Sequence, residues 1–339
     1  MTGPSMRAMV LHEPAPIASS PLRPESWPVP QPGAGEVRLR VHCCAICRTD
    51  LHVIEGELPR QRLPLIPGHQ VVGVVEALGA NCERLHVGAR VGVAWLRGTC
   101  GRCVHCRAGR ENLCESARFT GYHEHGGYAG HALVPEAFAY EIPPAFDDVH
   151  AAPLLCAGII GYRALQRSEL PRGGSLAIFG FGSSAHVVLQ IAKYRGCRVY
   201  AVSRGGRHLE HARAMGADWA GADPAGLPEP VDSAIVFAPV GELVLPALEA
   251  CRKGGTVALA GIYMSPIPSL DYERHLFYER TLRSVTANTR ADGAGLLAEA
   301  ARIPIRPDVT AYPLAEANRA LQDLKADRIA GTGVLVMEG

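Results

Sequence analysis

Glu36-Val37-Arg38-Leu39-Arg40-Val41-His42 alternates polar and apolar residues without a break. That period of two predicts a half-buried strand. Short apolar runs follow at Gln70–Leu78, Ala89–Trp95 and Tyr128–Val134, separated by Gly and Pro. Together they predict a β-rich, barrel-like domain reaching to about residue 150. Met6–Leu11 reads as a first strand, which makes the first five residues an extension. Seven prolines between Pro14 and Pro32 predict an extended surface connection over 12–35.

The pattern changes near 151. Ala151–Leu165 is small and apolar without a strand rhythm and predicts a helix. Ser175–Phe179 and Cys197–Val202 read as strands flanking an amphipathic helix at Ala185–Tyr194. Helices at 207–215 and 241–252 then alternate with strands at 232–238 and 256–260. Strands alternating with helices predict a parallel sheet with crossover connections. Beyond 290, Asp292–Arg302 and Leu314–Ala326 look helical and Thr332–Met337 looks like a last strand.

Composition narrows the function. The 339 residues suggest two domains at roughly 100–200 residues each. A formal net charge of +1 argues against a nucleic-acid footprint or a polybasic membrane patch. No apolar run has the length of a membrane span, and Met1–Leu11 lacks the apolar core of a secretory signal. Eleven cysteines without such a signal form a poor disulfide framework. They point to a cytoplasmic protein whose clustered thiols bind metal or do chemistry.

Cys100, Cys103, Cys106 and Cys114 stand as C-x2-C-x2-C-x7-C. Four thiolates on one loop can close tetrahedrally around zinc and leave no open position, which makes the site structural. An iron–sulfur cluster is the competing reading. The glycine-rich β context, without a proline-flanked ferredoxin run, favours zinc.

Gly180-Phe181-Gly182-Ser183-Ser184-Ala185 lies between a predicted strand and a predicted helix. It fits the dinucleotide fingerprint G-x-G-x-x-A, with the helix N-terminus facing the phosphates. The next strand ends at Ser203-Arg204, where a site preferring NAD would carry Asp or Glu. Ser203 and Arg204, with Arg207 nearby, suit a 2′-phosphate, so NADP(H) is favoured over NAD(H).

Six motifs in order extend the reading: C-R-T-D-L-H at 47–52, G-H-Q-V-V-G at 68–73, W-L-R-G-T-C at 95–100, the four-cysteine loop, L-L-C-A-G at 154–158 and G-F-G-S-S-A at 180–185. With them the chain resembles a zinc-dependent alcohol dehydrogenase of the medium-chain dehydrogenase/reductase superfamily, nearly end to end. The resemblance implies a GroES-like catalytic domain at 1–157 and 288–339, carrying a structural zinc lobe at about 97–116. It implies a Rossmann domain at 158–287. It implies reversible hydride transfer between a primary alcohol, or its aldehyde, and NAD(P), with cinnamyl-type or polyol oxidation as the alternative on the same scaffold. A non-enzymatic dinucleotide-binding zinc protein would lack ligands or relay residues that are present here.

Roles follow by the same resemblance. Cys47, His69 and Cys156 would hold a catalytic zinc, the Cys2His set established for alcohol dehydrogenases, giving two zinc ions per chain. Asp50 would orient His69. Thr49 and His52 would relay the alcohol proton through the cofactor ribose toward solvent. Arg48 would contact the pyrophosphate, while Thr332 stands where several relatives place a phosphate-binding Arg. Leu58, Trp95 and Ile262 would line the substrate pocket. Gln70 replaces the Glu common after the zinc-binding His. A homotetramer or homodimer is implied, paired through the edge strands of the dinucleotide domains.

Overall fold

Two β-bulges interrupt the pairing of Glu36–Ala45 with its neighbour, between Arg38 and Leu39 and between Val41 and Cys43. The alternation nevertheless sends Val37, Leu39 and Val41 into the core. In the computed structural model, which describes residues 3–59, 62–303, 305–329 and 331–337, this strand is the centre of a seven-stranded sheet. The order across the sheet is Val309–Pro313, Thr332–Val336, Glu36–Ala45, Gln70–Leu78, Arg90–Val93, Ala139–Glu141, with His131–Pro135 also paired to Glu36–Ala45. The chain divides into two compact units, and this sheet belongs to the first: Met1–Cys156, Ala287–Ala301 and Pro307–Gly339.

The proline-rich segment is not merely a connection. Leu22–Pro28 is a strand, antiparallel to Ser5–Leu11, with Met9 opposite Pro24 and Ser5 opposite Pro28. Proline removes one ladder donor, which is tolerated here because Leu22–Pro28 is an edge strand. Ile17 and Leu22 bury their side chains and fix the segment to the core. The first strand starts at Ser5, one residue before the expected Met6.

The second unit comprises Ala157–Thr286 and Arg302–Arg306. Residues 302–306 thus leave the catalytic domain expected at 288–339. Its six strands are all parallel, in the order Trp219–Gly221, Arg198–Val202, Ser175–Phe179, Val231–Val236, Cys251–Leu259, Thr281–Ser284. Numbered along the chain this is 3-2-1-4-5-6, the Rossmann order. Ser175–Phe179 is buried at every position, as a central parallel strand covered on both faces should be.

The helix expected over Ala151–Leu165 is broken. An α-turn at Asp148–Ala151 runs into a 3-10 turn at Ala152–Leu155, and a new helix runs over Ala157–Arg167. Cys156 sits at the break with φ −135° and ψ −70°. Pro153 supplies no backbone donor, which favours the interruption.

Within the four-cysteine loop, Glu111 ties the loop to the helix Arg290–Ala300 of the same unit. The Arg290 backbone N–H donates to Glu111 Oε1 at 2.8 Å and its Nη2 donates to Oε2 at 2.7 Å. The guanidinium also lies 4.7 Å from the centre of the Phe138 ring. Burial alone would raise the Glu111 carboxyl, but the Arg290 hydrogen bonds hold it below its ordinary value. Stability from such a pair is present above the ordinary glutamate range and is lost as pH falls through the lowered value. Glu111→Gln should cost about 1–2 kcal/mol at pH 7. Thermal denaturation at pH 7 and near pH 4 should show the gap to wild type narrowing at the lower pH.

Candidate functional site

Cys47 follows the strand Glu36–Ala45 and is the N-cap of the helix Arg48–Ile54, with extended backbone at φ −146° and ψ −178°. Asp50 is the third residue of that helix, and its carboxylate does two jobs. Oδ2 accepts the Cys47 N–H at 2.8 Å, and Oδ1 lies 3.1 Å from His69 Nδ1. A carboxylate there fixes the ring proton on Nδ1 and leaves Nε2 as the donor atom. His69 Nε2 is 3.4 Å from Cys47 Sγ.

Gly68 sets the approach of His69. Its φ is +96°, and a Cβ at that position would lie 2.3 Å from the Tyr128 ring. Only glycine fits both the backbone and the space. The Cys156 sulfur reaches the same place from the helix break. The ligand atoms of Cys47, His69 and Cys156 all lie within 4.8 Å of one another.

These donors fit a zinc ion. Tetrahedral ligation puts a sulfur and a nitrogen about 3.6 Å apart, close to the spacing of Cys47 and His69. The electrostatics agree. Burial alone would lower the His69 ring, but Asp50 and Cys47 outweigh it and push it up. The hydrogen bond to Cys156, together with burial, pushes the Cys47 thiol well up. Such a cluster keeps its protons until a cation displaces them.

A second set is closed. The sulfurs of Cys100, Cys103, Cys106 and Cys114 also lie within 4.8 Å of one another, with Cys100 and Cys106 at 4.0 Å. Backbone N–H groups point at them: Cys103 to Cys100 Sγ at 3.3 Å, Cys106 to Cys103 Sγ at 3.4 Å and Cys100 to Cys114 Sγ at 3.4 Å. Backbone donors from Arg102 and Cys103 lower the Cys100 thiol to about 6. Four soft donors in this arrangement can hold one zinc with no position left over.

In the second unit, Gly182 is the N-cap of the helix Ser183–Tyr194, and a Cβ there would enter open space. That space is where a phosphate can approach the first amides of the helix. Ala185 is fully buried and allows the helix close to the sheet. Gly180 N–H donates to Val202 O at 2.8 Å, so the fingerprint turn and Ser203-Arg204 are neighbours at the carboxyl end of the sheet. Ser203 is half-buried there, while Arg204 and Arg207 are exposed.

Comparison with known proteins agrees with this geometry. Residues 33–144 match the model of the alcohol dehydrogenase GroES-like domain, and residues 185–302 that of the zinc-binding dehydrogenases. A curated relative from Mycobacterium tuberculosis, "Probable alcohol dehydrogenase AdhA", is 49% identical over 99% of both chains. The chain belongs to the zinc-type alcohol dehydrogenases of the medium-chain dehydrogenase/reductase superfamily. Among solved structures, AibC matches with a TM-score of 0.91 at 30% identity, over 100% of this chain and 97% of that one. A cinnamyl alcohol dehydrogenase from Sorghum bicolor, SbCAD4, matches at 0.88 and 26% over 98% of both chains.

Other expected residues of this alcohol dehydrogenase fall in varied settings. Thr49 is buried one helical turn before half-buried His52, on the same face, and Arg48 is exposed at the first helical position. Trp95 stands edge-on to His69, with ring centres 5.0 Å apart. Leu58 is half-buried against the core of the first unit. Ile262 belongs to the second unit and is 51% exposed. Thr332 is buried in the last strand, 2% exposed, rather than presented to a phosphate.

Gln70 is fully buried, and neither atom of its side-chain amide has a hydrogen-bond partner in the protein. Such a group is ordinarily satisfied by a water or a ligand. Three other residues escaped sequence reasoning. Phe119 and Tyr122 stack on Trp95 at 5.0 and 5.8 Å. Glu57 contacts His52 Nδ1. The aromatic spacing around Gly121 carries no periodic signal, but a charged residue just past a helix-ending glycine is a readable one.

Asp50→Asn keeps the shape of the side chain and removes the charge that fixes His69. It should weaken zinc at the Cys47–His69–Cys156 site by about 10–100-fold. Competition with a chromophoric chelator measures this, and the four-cysteine site in the same protein serves as the internal reference.

Proposed function

We propose that this chain catalyses reversible hydride transfer between a primary alcohol and a nicotinamide dinucleotide, with NADP(H) favoured, and that it holds two zinc ions. The reading rests above all on the difference between its two donor sets. Cys100, Cys103, Cys106 and Cys114 offer four sulfurs. Cys47, His69 and Cys156 offer three donors, oriented by Asp50 and faced by Trp95. Three protein ligands leave a fourth position for an exchangeable oxygen.

What a zinc ion supplies there is Lewis acidity, which makes an alcohol oxygen more acidic or polarises a carbonyl. The dinucleotide supplies or accepts the hydride. The remaining work belongs to the chain. Thr49 Oγ1, at 6% exposure, accepts the proton of an alcohol hydroxyl and gives up its own. His52, nearer to solvent, takes the proton out and returns it in the reverse direction. Trp95, Phe119 and Tyr122 form an aromatic wall beside His69 that excludes water and favours the carbon chain of the substrate.

Cofactor preference rests on Ser203, Arg204 and Arg207. No carboxylate follows the strand Arg198–Val202 to hold both ribose hydroxyls, and two exposed guanidinium groups stand by instead. Thr281–Ser284 is an edge of the dinucleotide sheet and supports pairing into a homodimer or homotetramer. None of the described cysteines is in a disulfide, and no described helix is long and apolar enough to cross a membrane. Reduced thiols support a cytoplasmic setting.

Metal analysis should return two zinc ions per chain. Cys47→Ala should retain one, keep the fold and lose turnover. Cys106→Ala should mainly lower the melting temperature, because the loop loses its cross-link. One zinc in fully active wild type would sink the two-site reading.

Ser203→Asp tests the cofactor. The new carboxylate should repel a 2′-phosphate and accept hydroxyls from an unphosphorylated ribose. KM for NADP(H) should rise at least tenfold, about 1.4 kcal/mol, with little change for NAD(H). A wild type that already favours NAD(H) tenfold would reverse the assignment.

A further inference from the structure

The helix Arg48–Ile54 ends in a Schellman turn. Gly56 has φ +77°, its N–H donates to Val53 O at 3.3 Å, and the Glu57 N–H donates to His52 O at 2.9 Å. These are the two reverse hydrogen bonds that define the motif. The motif lays the residue after the glycine over the third-last residue of the helix, where an apolar contact commonly forms. Here that pair is Glu57 and His52, and the contact is polar: Glu57 Oε2 meets His52 Nδ1. Glycine is required at the turn twice over, since a Cβ on Gly56 would also lie 2.8 Å from Pro14 Cβ.

We propose that Glu57 is a positioning residue for proton transfer by His52: it accepts the Nδ1 proton, so that Nε2 is the atom that takes up and releases the substrate proton. The proposal rests on the reading that Thr49 and His52 carry that proton. In the oxidative direction one proton leaves the alcohol hydroxyl and one arrives at His52 Nε2. The resulting imidazolium passes it to water, and Glu57 remains ionised throughout. The reductive direction reverses each transfer.

The surroundings favour the same assignment. His52 is in the last turn of its helix, where the backbone carbonyls stabilise a cation. Its side chain is 19% exposed and that of Glu57 43%, so the pair is reachable from solvent. Glu55 faces His52 from the same helix end, and its charge is already met by Lys325 Nζ at 2.7 and 2.8 Å. Lys325 comes from the packed helix Ala317–Lys325, whose Asp323 pairs with Arg328. Arg48 stands four residues before His52 on the same helix. Glu57 is an anion in direct contact with the ring.

The experiment compares pH profiles of kcat/KM for alcohol oxidation in wild type, Glu57→Gln, Glu57→Asp, His52→Gln and the Glu57/His52 double variant. Melting temperature and zinc content are measured on each. Alcohol oxidation needs neutral His52, so a limb falls away on the acid side. Without the carboxylate, an imidazolium formed at Nε2 loses the negative charge beside it. Glu57→Gln should move that limb to lower pH by roughly half a unit and lower the plateau about two- to fivefold, with zinc unchanged. Glu57→Asp should recover part of both effects. The double variant should be no slower than His52→Gln, because the two residues act as one unit. If His52→Gln abolishes the limb while Glu57→Gln leaves it where it was, the role of Glu57 is overturned and the relay stands. If the double variant is slower than His52→Gln, Glu57 acts by another route and the proposal also fails. If His52→Gln itself leaves the profile unchanged, the relay falls and this role with it.

Discussion

The Asp50 carboxylate is the interaction on which the metal centre depends. One oxygen takes the Cys47 N–H at the start of the helix and the other holds His69, 19 residues away in sequence. A helix N-terminus and a strand start are thereby locked to one anion. The position is favourable for reasons unrelated to metal. The third helical residue is where an acidic side chain satisfies the N-cap donor and complements the helix dipole. The same geometry that stabilises the helix orients the imidazole. Asp50 is 2% exposed, so little of its field is lost to water.

Backbone irregularity delivers the donors to that anion. The sheet ends its regular pairing at Ala45, and Cys47 is freed two residues later to cap the helix. Gly68 adopts a left-handed conformation against Tyr128 immediately before His69. Cys156 lies where two helical segments fail to join. Each donor comes from a break in secondary structure, and each break is held by buried neighbours. A packed seven-stranded sheet behind three irregular joints is a sound way to fix donor atoms, because the joints are over-determined by packing.

Much of this was legible in the chain. Alternation over 36–42 and the strand–helix alternation beyond 175 located both sheets, because burial on one face or on both leaves a period. The four cysteines at 100–114 were legible because metal ligands from one loop must be close in sequence. Cys47, His69 and Cys156 were not legible by spacing, since three separate elements bring them together. Only the resemblance joined them. The strand at Leu22–Pro28 was hidden by its own prolines, which argue against any interior strand and are harmless in a ribbon. The break at Cys156 was missed although Pro153 signals an interruption, because the run around it is otherwise apolar and without a strand rhythm. The stacking of Phe119 and Tyr122 on Trp95 depends on the turn at Gly121 and leaves no periodic trace.

Gln70 bears on the charge balance that a zinc ion would meet among Cys47, His69 and Cys156. Two thiolates and a neutral imidazole would balance a dication, and the Asp50 carboxylate behind His69 would add negative charge to the cluster. A carboxylate at position 70 would add another buried anion next to His69 in the chain. Gln70 keeps the volume and the hydrogen-bonding capacity and removes that charge. Its unpartnered amide lies where desolvation is costly, so it must find a water or ligand when the centre is filled. A less negative donor set would leave a bound metal more electron-poor, which would strengthen polarisation of an oxygen on it.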